Sequence, residues 1–179
     1  MLHGTWNADP THSSLGFAIR HMVVATFRGE LRDFDATLSV GAGTVSLRGS
    51  GRVASVTTRE EIVARQLLGP EFLDAARHPE LELVAESLAT QAGAPAGDAE
   101  LTIRGLTRPV RLHGTYSGPV VDPFGASRLG VELATTIDRT DWGITWNAPL
   151  PDGGLVLATS VTLTAHLELV RAADPRESP

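Results

Sequence analysis

The chain has 179 residues, a formal net charge of −6 at pH 7 and 42% hydrophobic residues. This length predicts a single domain, 1–179, with a sizeable core. The negative balance argues against nucleic acid and anionic membrane surfaces as partners, because both attract basic patches. The sequence contains neither Lys nor Cys, which excludes Schiff-base chemistry, a phosphate-loop lysine, disulfides and thiolate nucleophiles.

The N-terminus indicates where the chain resides. The first residues, MLHGTWNADP, carry neither a basic flank nor an apolar run, which predicts a cytoplasmic chain rather than one with a signal peptide. No stretch approaches the roughly 20 apolar residues of a membrane-spanning helix. We therefore expect no membrane span.

The first regular pattern is an alternation over residues 14–21. Leu15, Phe17, Ile19 and His21 share one parity, which is typical of a strand with one buried face. His21 stands on that apolar face, so its ring needs a hydrogen-bond partner or a ligand. The pattern is the first indication of a lined interior.

A second strand is predicted from Ala25, and its parity changes between Leu31 and Phe34. The change predicts a bulge or bend at the two residues 32–33. Residues 44–57 are strand-like with weaker alternation. The two Gly-x-Gly motifs, at 41–43 and 49–51, precede no convincing helix, so they are not interpreted as a dinucleotide site.

Residues 59–79 predict a helical insert, because apolar residues recur there at helical spacing. Two short helices are expected. The second, PEFLDAAR, has Pro70 at its start and Arg77 near its end, which suits the helix dipole. His78 and Pro79 end it, because a residue before proline avoids the helical region.

Strands are predicted for the rest of the chain. Leu81 and Leu83 come first, residues 91–98 form a loop, and a hairpin turns between Ile103 and Arg108. A second loop is expected at 117–127. The alternation that follows includes Leu129, Val131, Leu133, Thr135 and Ile137 and brings Arg139 to the inner face; the last strand runs from Leu155 to Leu169, and the tail 171–179 is expected to fray.

Roughly seven or eight antiparallel strands with one apolar face must close or stack, because a flat sheet would expose that face. An eight-stranded barrel leaves room for one small ligand, whereas a two-sheet sandwich fills its interior with side chains. Alternation alone leaves both architectures open.

Four segments in order carry a resemblance to a known family: DPTHSSLGFAIRHMVVATFRGEL, LLGPEFLDAARHPELEL, AELTIRGLTRPVRL and DPFGASRLGVELATTIDRTDWGI. They resemble successive blocks of the YceI-like family, over about residues 6–169. The resemblance implies an elongated, eight-stranded, antiparallel lipocalin-like barrel with a short helical insert. It also implies that the barrel holds a polyisoprenoid, such as an isoprenoid quinone or a polyprenyl diphosphate, and that homodimers form. Asp138 stands where the family usually has Asn.

Within that resemblance, a set of apolar, aromatic and polar residues is expected to contact the ligand: Phe17, Ile19, His21, Met22, Phe27, Phe34, Arg139, Trp142 and Trp146. Arg139 could bind a phosphate, and His21 could hydrogen-bond a diphosphate or a quinone carbonyl. Each residue also has a structural interpretation. His21 could be a satisfied core histidine, Arg139 could form an ion pair with Asp141, and the apolar residues could be plain core.

Two other groups of residues give weaker indications of a functional site. His12 and His21 are nine residues apart, so an unbroken strand places them on opposite faces and disfavours a shared metal. Asp9, His12 and Ser13 are too local for a catalytic triad, and the sequence has no G-x-S-x-G motif. We therefore predict no catalytic residues, no metal and no cofactor.

Three functions remain open from the sequence. The favoured one is non-enzymatic binding, transport or storage of a polyisoprenoid lipid. The second is an enzyme that uses His21 as acid or base beside Arg139. The third is a structural or stress-response module whose interior is filled by its own side chains.

Overall fold

The computed structural model describes residues 2–41, 43–91 and 94–173. Within these residues it contains twelve β-strands, one α-helix and two 3-10 helices. Their bounds are β1 Gly4–Ala8, β2 Ser14–His21, β3 Ala25–Leu31, β4 Phe34–Val40, β5 Val45–Arg52, η1 Val53–Ser55, β6 Val56–Thr58, α1 Glu61–Leu67, β7 Glu80–Ala85, β8 Ala89–Gln91, β9 Ala94–Ile103, β10 Leu106–Val121, β11 Ser127–Asp138, η2 Arg139–Trp142 and β12 Leu157–Arg171.

The sheet closes into an antiparallel barrel. Its ring runs β1-β4-β5-β7-β9-β10-β11-β12, and β1 pairs with β12 to complete it. The closing register sets Trp6 opposite Arg171 and Ala8 opposite Leu169. Closure removes the exposed strand edges that an open apolar sheet would have. The structure thus decides for the barrel and against the sandwich.

The ring opens toward one end of the molecule. On the N-terminal side of Glu168, β12 pairs with β2 instead of β1, and β2 continues to β3 and β6. Residues 135–138 of β11 pair with β12, while residues 106–112 of β10 pair with β9 instead. The two halves of the sheet therefore separate there, and we call this the hollow end. The opposite half, where β1 closes the ring, is the filled end.

The filled end is packed by large apolar side chains. Trp6, Leu129 and Leu169 are at most 2% exposed, and Leu38 and Leu47 pack with them in the same cluster. Side chains of this size on alternate positions of facing strands fill a narrow barrel completely. The filled end therefore supplies the hydrophobic core that supports the hollow end.

A sharp bend joins β3 to β4, as the parity change predicts. The backbone nitrogens of Arg32 and Asp33 bond Ser55, the first to its carbonyl at 3.2 Å and the second to its hydroxyl at 2.9 Å. Arg52 N in turn donates to Asp33 O at 2.9 Å. The chain bends at residues 32–33 and again at residues 52–55. These hydrogen bonds connect the two bends where the filled end meets the hollow end.

The insert contains one helix, α1, and the prediction of a second helix over residues 70–77 is wrong. Residues 68–77 form successive turns, and Asp74 has a left-handed φ of 50°, which a continuous helix does not allow. Phe72 and Asp74 are both buried. Tertiary burial of Phe72 beside Trp146, with ring centroids 5.3 Å apart, prevails over the favourable proline and charge pattern of the segment.

Several predicted boundaries are also corrected. The loop expected at 91–98 is strand from Ala94, and its residues 92–93 lie outside the described residues. In the loop expected at 117–127, β10 continues to Val121. The last strand starts at Leu157, and Leu155 forms only an isolated bridge with Pro149. Of the predicted frayed tail, Arg171 still belongs to β12, and residues 174–179 lie outside the description.

No helix among residues 2–41, 43–91 and 94–173 has the length and apolar character needed to cross a bilayer.

Candidate ligand-binding cavity

The hollow end encloses a cavity of about 700 Å³. Residues of β2, β3, α1, β11 and β12 line it, together with the segment between η2 and β12. Small-molecule sites in proteins span about 300–1,000 Å³, so the cavity is large enough for a sizeable guest. An interior filled entirely by the protein's own side chains is not what the structure shows.

Six of the nine sequence-predicted contact residues line this cavity, and three do not. The six are Phe17, Ile19, His21, Phe27, Arg139 and Trp146. Phe34 and Trp142 are buried in the core instead, and the Trp142 indole donates to Leu101 O at 3.3 Å. Met22 lies on the exposed tip between β2 and β3. Alternation correctly identified inward-facing positions but could not distinguish the cavity wall from the core.

Aromatic side chains form part of the wall. The Phe17 and Phe27 rings are tilted against each other with centroids 6.1 Å apart. Phe17 lies across Gly29, its partner on β3, where a Cβ atom would come within 2.4 Å of the ring. A glycine is therefore required at position 29 for Phe17 to take this place.

Arg139 is the one buried charged residue among the described residues that line the cavity, at 5% exposure. It follows β11, whose alternation directs it inward. Its Nε donates to Ala158 O at 2.9 Å, and its Nη1 donates to Ile144 O at 2.5 Å. Asn147 bonds the backbone of Leu157 close by, at 2.6 and 3.0 Å. Arg139 and Asn147 together hold the 143–156 segment against the start of β12.

The Arg139 guanidinium has no carboxylate partner among the described residues, since its hydrogen bonds go to backbone carbonyls. The expected alternative, an ion pair with Asp141, is absent from the described contacts. Burial lowers the pKa of Arg139, and the charge of Asp138 partly opposes that effect. Arginine nevertheless keeps its proton in proteins. The result is a poorly hydrated positive charge beside an apolar cavity.

Asp138 has a separate role at the end of β11. Its Oδ1 accepts from Thr140 N at 2.9 Å and from Thr140 Oγ1 at 2.7 Å, which caps η2. These hydrogen bonds lower the pKa of Asp138 below its usual value. The carboxylate therefore orients η2, and with it the segment that positions Arg139, without binding the guanidinium.

His21 ends β2 and pairs with Leu157 of β12 and Ala25 of β3. Its side chain is half-buried and faces the cavity. Within the described residues, no side-chain hydrogen bond to the His21 ring is found. The satisfied core histidine that the sequence left open is therefore not observed, and the ring remains available to a guest.

Several cavity residues were absent from the predicted set. Thr135 is buried and lines the cavity, and it shares the inward parity of Arg139. Leu157, Val161 and Leu163 also line the wall, and their alternation was visible in the sequence. Gln66 on α1 carried no such signal, because only the tertiary structure places that helix over the opening.

The cavity reaches the surface where its lining residues become exposed. Ala25, Glu60 and Gln66 are exposed lining residues on the β3 and α1 side. Ser50 of β5 and Glu82 of β7 are a second pair of exposed lining residues, and they lie opposite each other in the sheet. The neighbours of Ser50 in sequence, Gly49 and Gly51, also line the cavity. The first group lies at the open end of the barrel, beyond the separation of the two sheet halves.

A polar cluster on the outer surface of the filled end explains the Asp9–His12–Ser13 motif. His12 Nδ1 lies 2.9 Å from Asp9 Oδ2, but Ser13 Oγ donates to Glu168 O at 3.3 Å and so takes no part in a triad. Asp9, His12 and Glu168 approach within 4.8 Å of one another, a spacing that could hold a metal ion. Arg128 Nη1 already donates to Asp9 at 2.9 Å and to Glu168 at 2.5 Å. The guanidinium group therefore supplies the positive charge at this position.

The family model described as a YceI-like domain matches residues 6–169. The chain belongs to the YceI-like family. UPF0312 protein SAS2572 of Staphylococcus aureus is 28% identical over 164 residues, which cover 89% of this chain and 94% of that protein. A UPF0312 protein of Pseudomonas savastanoi pv. phaseolicola is 27% identical over 143 residues, which cover 77% of this chain and 74% of that protein.

Two solved structures share the architecture. BcnA of Burkholderia cenocepacia matches with a TM-score of 0.76 and 18% identity, covering 92% of this chain and 99% of that one. A polyisoprenoid binding domain from Saccharophagus degradans, implicated in plant cell wall breakdown, matches with a TM-score of 0.67 and 16% identity, covering 93% and 98%. Similarity at these identities shows a common fold. It confirms the YceI-like, lipocalin-like barrel expected from the sequence.

Proposed function

We propose that this protein binds a polyisoprenoid lipid in its cavity and acts as a non-enzymatic carrier or store for it. The observation that carries the proposal is an apolar cavity of about 700 Å³ with a buried, carboxylate-free arginine at its end. The polyisoprenoid-binding neighbour of the same fold supports the choice of lipid class. The six lining residues of the predicted set, including His21 and Arg139, are the proposed contacts.

The size of the cavity favours an occupant. An apolar wall without an apolar occupant either contacts water or lacks packing partners, and both are unfavourable. A guest that fills the cavity recovers these contacts.

The isoprenoid tail supplies affinity without selectivity. Each buried apolar carbon contributes about 0.8 kcal/mol, so a five-carbon isoprene unit contributes roughly 4 kcal/mol before costs. Two or three units exceed the lower estimates of what association costs, about 4–15 kcal/mol. Selection among lipids must then come from polar groups near the head group.

The head group is proposed to bind at Arg139, with His21 as a second polar contact. A diphosphate would gain charge-assisted hydrogen bonds from the guanidinium, and a quinone carbonyl would gain neutral-acceptor bonds. Both head groups suit a donor that has no carboxylate partner. The enzyme alternative has less support, because the usual arrangement of a catalytic base with a third group that orients it is not found around His21 among the described residues.

A cavity-filling variant tests the proposal. Ala165→Phe places a ring in the cavity that Ala165 lines, whereas Ala18→Phe makes the same change on β2 at a position outside the lining. We expect Ala165→Phe to lower the affinity for menaquinone-4 at least tenfold in a fluorescence titration, and Ala18→Phe to leave it unchanged. Equal affinity in both variants, or no binding by the parent protein, would contradict the proposal.

A second test concerns the head group. In Arg139→Met, the affinity for farnesyl diphosphate should fall relative to that for farnesol by about tenfold or more, because a hydrogen bond to a charged group contributes about 1.5–3 kcal/mol. The ratio of the two affinities within one variant is insensitive to partial unfolding. An unchanged ratio, together with an unchanged ratio of menaquinone-4 to phytol, would remove Arg139 from the head-group site.

Two further expectations remain predictions. The family resemblance implies a homodimer, and light scattering after size-exclusion chromatography would measure its mass. We also propose a cytoplasmic location, and cell fractionation of the native host would test it.

A further inference from the structure

The hairpin tip between β2 and β3 is apolar and exposed. Met22, Val23 and Val24 form it, and the two valines are 70% and 80% exposed. The tip lies between His21 and Ala25, both of which line the cavity. It is therefore located directly at the open end of the hollow half.

The backbone of this tip is unfavourable for its sequence. Met22 has φ 49° and Val23 has φ 64°. Left-handed backbone is adopted at little cost by Gly and, among the other residues, most readily by Asn and Asp. A β-branched residue in this region is strained. Fold stability alone thus gives no reason for Met-Val-Val here, and neither does hydration.

Neighbouring segments extend the apolar rim. Ile62 lies on α1 beside the lining residue Val63, and Leu155 precedes the lining residues Val156 and Leu157. Ile62 and Leu155 are both exposed. Each of the three segments that border the opening therefore carries an exposed apolar side chain next to a cavity residue.

Two arginines lie behind the tip on the outer face of the sheet. Arg20 donates to Val23 O and to Thr26 Oγ1, and Arg28 lies on β3 two positions beyond Thr26. Neither has a carboxylate partner among the described residues. An apolar tip with basic residues behind it is the arrangement that inserts into a bilayer and meets its phosphates.

We propose that the Met22–Val24 hairpin docks on a lipid bilayer and delivers the cavity's lipid to it or takes it up from it. The partner follows from the local chemistry of the tip rather than from the net charge of −6, which by itself disfavours an anionic surface. The apolar tip enters the acyl region, and Arg20 and Arg28 meet the phosphate groups. Glu60 on the opposite rim is acidic, so the hairpin rather than α1 makes the primary contact. The inference rests on the proposed lipid-binding function, because only a membrane-derived guest needs this route.

The test is flotation with vesicles that contain no isoprenoid. One set is phosphatidylcholine alone, and the other also contains phosphatidylglycerol. The variant Met22→Asn/Val23→Gly installs residues that tolerate the left-handed backbone at these two positions, so we expect it to unfold at the same or a higher temperature while its vesicle binding falls at least tenfold. Phe124→Ser is the matched control, since Phe124 is 94% exposed on the turn at the opposite end; it should bind vesicles like the parent.

The charged contact has its own readout. Arg28→Gln should weaken binding to vesicles with phosphatidylglycerol by about fivefold and reduce the loss of binding at high salt. Its binding to phosphatidylcholine alone should change little. Equal losses on both vesicle types would contradict the role of Arg28 in meeting phosphate groups.

Several outcomes would overturn the docking inference. Parent protein that fails to float with either vesicle would do so, as would loss of binding in Phe124→Ser but not in the hairpin variant. A tip that pairs two copies of the chain would appear as a change of mass in the hairpin variant without any change in flotation. Menaquinone-4 added from ethanol measures the cavity separately, so retained ligand binding without vesicle binding defeats only the docking inference, whereas absent ligand binding defeats the proposed function.

Discussion

Two arginines at opposite ends of β11 show how the two halves of the barrel differ. At the filled end, Arg128 donates to Asp122 at 2.7 Å, to Asp9 at 2.9 Å and to Glu168 at 2.5 Å. At the hollow end, Arg139 is more deeply buried and binds only the carbonyls of Ala158 and Ile144 among the described residues. The chain pairs Arg128 with three carboxylates, whereas no carboxylate of the described residues forms a hydrogen bond with Arg139.

The difference follows the packing. Arg128 connects the turn after β1, the β10–β11 turn and β12 over the buried apolar cluster of the filled end, so its role is structural. Arg139 borders a cavity of about 700 Å³, where a counter-charge from the protein would compete with a guest. A buried cation is costly unless it is hydrogen-bonded and paired. Under the proposed function, the head group of the ligand supplies the anionic or carbonyl partner that no carboxylate of the described residues provides.

The largest expected difference between the ends is in packing. Leu169→Ala at the filled end should lower the free energy of unfolding by about 2–5 kcal/mol, because it opens a cavity in a closed core. Leu163→Ala borders existing space, so its cost should be only about 1–2 kcal/mol. Urea denaturation measures both.

The two leucine variants should also separate in ligand binding. Leu163→Ala removes part of the cavity wall and should weaken menaquinone-4 binding, whereas folded Leu169→Ala should bind it like the parent. Equal costs in urea and equal affinities would show that the two ends are not distinct.

The next effect concerns the glycine under Phe17. Gly29→Ala brings a Cβ within 2.4 Å of the Phe17 ring and within 2.9 Å of Thr57 O, so we expect a loss of about 1–3 kcal/mol and weaker ligand binding. Gly49→Ala is the control, because its Cβ meets Asp35 O at an ordinary 3.5 Å. A lower unfolding temperature for Gly49→Ala than for Gly29→Ala would contradict this account of the wall.

Acid should act on the filled end through its carboxylates. Hydrogen bonds from His12 and Arg128 hold the pKa of Asp9 well below its usual value, and Arg128 does the same for Asp122. A lowered pKa contributes stability above the ordinary value of 3.8 that is lost as pH falls. Asp122→Asn should therefore show a shallower fall of Tm on acidification below about pH 4. An acid limb as steep as that of the parent would contradict the role of this carboxylate.

His12 should give the smallest effect, on the alkaline side. The hydrogen bond to Asp9 raises the pKa of His12 above its ordinary 6.5. Its contribution to stability is complete below pH 6.5 and is lost as pH rises through the raised pKa. His12→Gln should remove that decline in Tm, and a decline that persists would assign it to another group.

The sequence predicted inward-facing positions and the bend after β3, but not where the interior changes from packed core to cavity. The alternation in β11 placed Arg139 inward, and the parity change located the bend after Leu31, because both depend on local periodicity. Periodicity carries no information on whether an inward side chain meets another side chain or empty space. That is why Phe34 and Trp142 were predicted as contacts but are core residues. Tertiary contacts likewise decide the turns around Phe72.

The measurement that tests the central claim most directly is mass spectrometry of the organic extract of the protein purified from its native host. The parent protein and Ala165→Phe are compared with a mock purification. The account predicts a stoichiometric polyprenyl lipid in the parent extract that is strongly depleted in the variant. A parent extract no richer in polyprenyl species than the mock, or equal amounts in parent and variant, would contradict the claim that the hollow end holds such a lipid.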